Sequence, residues 1–391
     1  MIQDINKEEN KKRIAIVVVG YNRQKSLSRL LESLNNAYYD SDHIPLVISI
    51  DASGNQDLYD YVKSYNWRHG TKYINIQEER LGLKDHIYQC GDLTRYFKAV
   101  ALFEDDLWVS PYYYNYLVQV VERYGNEEEI CEIALYKNER LGGNGFYFDT
   151  YHDGSDSFLW QDVCTWGECW TEQMWFGFRK WLENHDEEYV NGVDIPEGFK
   201  RWTRAWSKYY NAYEIDTCKY VLFPHESLTT NFNDAGGEHG GGSNVVQVNV
   251  LEGRRDYKFN DVERLIRYDI YCNNELLYEW IPEPYKGNVC LDLYGGRANY
   301  QGKRYVLSLK QLPYAVVAKW GLEMRPVELN IKYGIEGEGI SIFDTSIIKR
   351  NVKEGYNKNV VPYMLRGFHP KLLLKYIIKH YKEIIARKFF K

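Results

Sequence analysis

The chain has 391 residues, 44% hydrophobic and 16% aromatic, with a formal net charge of −6. That is enough for a large core with a second, smaller unit, and the mild acidity argues against a nucleic-acid binder. Seven cysteines at 90, 131, 164, 169, 218, 272 and 290 form no CxxC pair and lack histidines at zinc spacing, so they read as reduced, cytoplasmic thiols. The polar start MIQDINKEENKKR has no apolar run of a signal peptide, and no stretch approaches the roughly 18 apolar residues of a membrane span.

In chain order, RIAIVVVG (13–20) is a β-branched run suited to a buried parallel strand. QKSLSRLLESLNNA (24–37) places Leu27, Leu30, Leu31 and Leu34 at helical spacing. Then follow strand 44–51, helix 56–65, strand 71–77, helix 83–97 and strand 98–104. This alternation predicts an α/β fold, a doubly wound and mostly parallel sheet, whose ligand lies beyond the carboxyl ends of the strands. Those ends carry Tyr21, Asn22 and Arg23, then Asp51, then the triplet Glu104, Asp105 and Asp106.

VVVGYNRQKS has a single glycine, and GxxxxGK[ST] occurs nowhere, which disfavours a dinucleotide-binding dehydrogenase or a P-loop enzyme. A phosphate ligand would instead need a metal. Three acids closing an apolar strand supply the hard oxygens that Mn²⁺ or Mg²⁺ takes. Arg80 and Lys84 in ERLGLKDH would add positive charge near a diphosphate.

EDDLWVSPYYYNYL resembles the DXD-type segment of GT-A glycosyltransferases, and is most similar to the N-acetylglucosaminyltransferase I family and to bacterial family 2-like enzymes of surface-polysaccharide assembly. IAIVVVGYNR resembles the first nucleotide-binding strand, with Arg23 as a donor contact. LVISIDASG resembles the second, with Asp51 on uracil. FPHESLTTNFNDAGGEHGG resembles the late segment whose histidine, here His239, lies near metal and diphosphate, with His225 as the competing choice. The resemblance spans roughly 13–245. It implies a GT-A fold and an enzyme that moves a sugar from a UDP-sugar to a glycan or lipid-linked acceptor, with inversion. In this reading Asp106 is the direct metal ligand, Glu104 stands beside it, and Asp105 is directed toward the ribose or the ligand waters. Tyr21, Arg23, Asp51, Arg80 and Lys84 surround the donor. The alternatives are a sugar-1-phosphate nucleotidyltransferase, which would want an early glycine-rich phosphate loop, and a catalytically inactive glycan- or nucleotide-binding scaffold.

An inverting transferase needs a carboxylate base. Asp194 and Glu197 are the nearest candidates, with Glu168 third. Before Asp194 runs a tryptophan-rich stretch with Trp160, Trp166, Trp170, Trp175 and Trp181. It resembles a segment bordering the acceptor site, yet its helical spacings favour core packing for most of these residues.

The pattern predicts a catalytic domain over 1–250, a β-rich appendage over 251–365 and a basic helix over 366–391. In the appendage, the segments 271–281, 289–296, 304–312, 315–324, 327–335 and 340–346 read as short strands. The last 26 residues hold eight Lys/Arg and one acid, Glu383, with Leu374, Ile378, Tyr381, Ile385 and Phe389 forming an apolar stripe. Such a helix suits an anionic membrane surface, and places the protein at the inner face of the cell membrane.

Overall fold

The computed structural model describes residues 5–237, 246–367 and 369–389. The chain divides into two units, one of residues 1–138 and 150–276, the other of 139–149 and 277–391. The division falls at 276 rather than 250, because Arg267–Tyr268 joins the large sheet as an edge strand.

The first unit is built on nine strands among the described residues. These are β1 (Ile14–Gly20), β2 (Leu46–Ile50), β3 (Lys72–Ile76), β4 (Ala99–Glu104), β6 (Ile130–Ala134), β7 (Ser157–Trp160), β8 (Glu168–Thr171), β9 (Tyr220–Pro224) and β11 (Arg267–Tyr268), in the order β11-β7-β9-β6-β8-β4-β1-β2-β3. Strands β3, β2, β1 and β4 run parallel, with Val18 opposite both Ile48 and Phe103. Strand β8 then pairs antiparallel with β4 and β6, so the sheet is mixed beyond its first four strands. A two-stranded ribbon joins β5 (Leu107–Val109) to β10 (Thr229–Asn231), antiparallel, and brings the late segment beside the acidic triplet.

The predicted helices form for the expected reason. In helix Gln24–Asn36 the four leucines at 27, 30, 31 and 34 are at most 1% exposed. Asn55 caps helix Gln56–Ser64 by accepting from Leu58 N–H at 3.2 Å. Gly82, at φ +79°, turns the chain into helix Leu83–Gly91, where a side chain would be strained. The tryptophans serve the core. Trp170 and Trp175 are fully buried with ring centroids 4.7 Å apart, and Trp160 and Trp181 are buried as well. All seven cysteines are free thiols.

The second unit holds a four-stranded sheet of Val289–Leu291, Tyr305–Ser308, Ile340–Ile348 and Tyr314–Trp320, in that order. Two predicted strands are short helices instead, Leu277–Trp280 and Leu329–Lys332. In VELNIKYGI the alternation of apolar residues imitates a strand. The buried set is Val327, Glu328, Asn330 and Ile331, which is helical spacing. Asn330 donates to Met324 O and Val327 O and accepts from Glu323 and Met324 N–H, which fixes the turn. Helix Pro370–Phe389 forms as predicted.

Candidate active site

Strand ends β1, β2 and β4 lie side by side, so the chain delivers Tyr21–Arg23, Asp51 and Glu104–Asp106 to one edge. The positive charge facing the acidic triplet is Arg23. Its guanidinium donates to both oxygens of Asp105, with Nε 3.2 Å from Oδ2, and to Asp106 Oδ2 at 3.3 Å. Burial works against the Arg23 charge, but Asp105 and Asp106 outweigh it and hold the guanidinium above its usual range. Burial pushes the Asp105 carboxyl up to about 6 against the pull of Arg23, and Asp106 is raised for the same reason.

A second pair stands behind the first. Arg29, one and a half turns along the helix from Arg23, binds Asp234, which also accepts from Ser26 Oγ at 2.6 Å. Burial opposes the Asp234 charge, yet Arg29 and Ser26 hold its carboxyl below the usual range. The Asp234 carbonyl accepts from Arg23 Nη1 at 3.4 Å, and a Cβ on Gly237 would lie 2.8 Å from that nitrogen. Asn231 Nδ2 donates to Asp106 Oδ1 at 3.2 Å, and the Phe232 ring lies 3.7 Å under the Arg29 guanidinium. Residues 231–237 thus close over Arg23 by contacts that span more than 200 positions of sequence.

Asp51 is buried and held by the backbone. Its carboxylate accepts from the N–H groups of Ala52, Leu81 and Gly82 at 2.8–2.9 Å. It therefore fixes the loop that carries Arg80, whose guanidinium lies 4.7 Å over the exposed Tyr21 ring. Lys84 is on the next helix with its ammonium 4.1 Å over the Tyr209 ring.

This edge lies in a segment with a known counterpart. Residues 15–185 match the family model for glycosyl transferase family 2. The match covers less than half of the chain. No curated protein matches the chain in sequence. Solved structures that resemble it include TarS residues 1–349 of S. aureus, 13% identical with a TM-score of 0.36, covering 56% of this chain and 60% of that one. A mannosyltransferase from Pyrobaculum calidifontis, in complex with GDP-Man and Mn²⁺, is 11% identical with a TM-score of 0.35 over 57% and 59% of the two chains. GalNAc-T7 with UDP, GalNAc and Mn²⁺ is 12% identical with a TM-score of 0.38 over 56% and 43%. The match spans less than two thirds of each of these chains.

The sheet edge brings together Tyr21, Arg23, Asp51, Arg80, Glu104, Asp105 and Asp106. It does not bring Asp194 or Glu197 to them. Asp194 accepts from the Tyr271 hydroxyl at 2.8 Å, on the turn after β11, at the sheet margin five places from β4. Glu197 is exposed and pairs with Lys200 at 3.0 Å. His225 is a neutral imidazole stacked 3.9 Å from His152 and bonded to Thr150 Oγ1 at 3.0 Å; burial pushes it down to about 2. His239 lies outside the described residues.

Glu168 is different. It is fully buried on β8, opposite Leu102 of β4 and Ala134 of β6. Residues two apart on a strand share a face. Glu104 (two past Leu102), Glu168 and Glu132 (two before Ala134) therefore share one face of the sheet. Burial, then repulsion from Glu132 and Glu104, pushes the Glu168 carboxyl far up. Its Oε2 accepts from Gly167 N–H at 3.1 Å, while Oε1 has no partner among the described residues.

The donor set suits a hard cation in kind, since Asp105 and Asp106 offer carboxylate oxygens at one strand end. Among the described residues no group of three or more His, Cys, Asp or Glu side chains is placed to hold a metal. The two aspartates are instead held by Arg23. Sequence reasoning missed Ser26, Arg29, Asn231 and Asp234. The signal for the last two was the polar NFND run directly after the β10 strand.

Proposed function

We propose that the chain transfers a sugar from a nucleotide-sugar, a UDP-sugar, to a glycan or lipid-linked acceptor in bacterial surface-polysaccharide synthesis. The observation that carries this reading is the convergence of Tyr21, Arg23, Asp51, Arg80, Asp105 and Asp106 at one sheet edge within the segment that matches glycosyl transferase family 2. The Tyr21–Arg80 stack offers a flat, cationic surface for a base and its phosphates. Asp51 holds the 80–82 loop in place, and its edge position suits a uracil contact. Asp105 and Asp106 would hold a divalent cation, Mn²⁺ or Mg²⁺, which when bound supplies positive charge to the departing diphosphate. Arg23 balances the two aspartates before the donor arrives and is free to turn to the phosphates afterwards.

In the proposed reaction the acceptor oxygen bonds to the anomeric carbon as the bond from that carbon to the diphosphate oxygen breaks. The acceptor proton passes to a carboxylate, the configuration inverts and the nucleoside diphosphate leaves.

A panel of UDP-sugars with and without Mn²⁺, read as UDP release, tests the reading. Metal-dependent release with one sugar supports it. UDP binding without release from any sugar means a binding scaffold, and no UDP binding at all removes the assignment.

A further inference from the structure

The helix Pro370–Phe389 has an apolar stripe that stays exposed among the described residues. Leu374, Ile377, Ile378 and Tyr381 recur at i, i+3, i+4 and i+7, and they are 40–62% exposed. The helix Gln24–Asn36 shows what packing does to such a stripe, with its leucines at most 1% exposed. Beside the stripe, Lys371, Lys375, Lys379 and Lys382 recur at i, i+4, i+8 and i+11, and all four are exposed. No acid occurs from Arg366 to Lys382. Among the described residues no helix is long and apolar enough to cross a membrane.

We propose that this helix lies in the plane of an anionic lipid surface, with its aliphatic stripe in the acyl boundary and its lysines on the headgroups. The chemistry selects that occupant. Twenty helical residues extend about 30 Å, and lysine stems beside an apolar stripe reach outward to charge while covering hydrocarbon. A lipid surface offers hydrocarbon and negative charge over that whole length without any need for register. A second copy of the helix offers only lysines to these lysines over 366–382. The inner leaflet of a cell membrane is such a surface. A lipid-linked acceptor would be reached there, though the inference stands apart from the catalytic reading.

Flotation of the full chain with vesicles of phosphatidylcholine, alone or mixed with phosphatidylglycerol, tests it. The protein should float with the anionic vesicles only, and high salt should weaken binding about tenfold or more. Lys375→Glu/Lys379→Glu/Lys382→Glu and, separately, Leu374→Ser/Ile378→Ser should each abolish flotation with an unchanged thermal unfolding midpoint. Equal binding to both vesicle types, binding to neither, or variants that float like the parent would overturn the proposal. So would a dimer of the parent in solution that Leu374→Ser/Ile378→Ser dissociates. Because the readout needs no nucleotide, failure here leaves the catalytic assignment untouched, and the reverse holds.

Discussion

The first unit buries acids in two places and treats them oppositely. At the sheet edge, Asp105, Asp106 and Asp234 are matched by Arg23 and Arg29. In the interior, Glu132, Glu168 and Glu214 are fully buried, and no cation bonds to them among the described residues. Glu132 accepts from Cys164 N–H and the Trp170 indole, and Glu214 has no partner for either oxygen among the described residues. Burial pushes these interior carboxyls far up, which favours their neutral form. Acids at the edge, where a ligand can meet them, are thus matched by cations, while burial disfavours the charge of the three interior acids.

The contrast is sharpest at Arg23. Arg23→Met takes the cation from two buried carboxylates and should cost about 3–5 kcal/mol, read by urea unfolding at pH 7. A cost below about 1 kcal/mol would mean that the aspartates do not need it. Asp106→Ala should leave a folded protein that no longer binds UDP in a Mn²⁺-dependent way. Calorimetry with and without metal checks this, and equal affinities for parent and variant would remove Asp106 from the site.

Next comes a buried histidine. Burial pushes His86 down to about 4, and its Nε2 lies 2.7 Å from Ser49 Oγ. Its unfolded pKa is about 6.5, so below that value the unfolded chain takes up a proton the folded chain refuses. Stability from this group is whole above about 6.5 and falls as pH drops toward 4. The loss at pH 5 should be about 2 kcal/mol relative to pH 7.5, and His86→Gln should flatten that slope. The interior acids tilt the other way, because the unfolded chain loses their protons first as pH rises.

Asp51→Ala removes the acceptor for three N–H groups and should cost about 1–3 kcal/mol, together with weaker UDP binding. The smallest effect is expected for Glu214→Gln. It exchanges one neutral group for another of the same shape, so stability at pH 7 should move by about 1 kcal/mol or less. A large loss would show that Glu214 is ionised, and would end the contrast drawn between edge and interior.

Much of this was legible from the chain. The runs that became β1, β2 and β4 are buried on both faces and carry a dense apolar signal that polar turns interrupt. Because the order of strands dictates where their ends lie, the edge residues followed from it. The partner of the acids did not follow. Arg23 and Asp105 are 82 positions apart, and nothing local marks one as the counter-ion of the other. Arg29 and Asp234 are 205 apart. In the second unit the signal itself misled, since VELNIKYGI alternates like a strand while Asn330 fastens it as a turn of helix.

The short segment 139–149 belongs to the second unit, although the residues on both sides of it belong to the first. Asp149 binds Arg325 and Arg366, and Tyr147 N–H donates to Met364 O. Arg366 is made 217 residues after Asp149. At typical synthesis rates of 5–20 residues per second, the segment waits on the order of 10–40 s for that partner. The last sheet strand of the first unit, Arg267–Tyr268, is made about midway through that interval, and from then on 139–149 waits as an unfilled half of a later fold. The second unit is therefore no cassette that could be cut away at 276. A chain stopped there would keep the 139–149 segment with its Asp149 and Tyr147 partners never made.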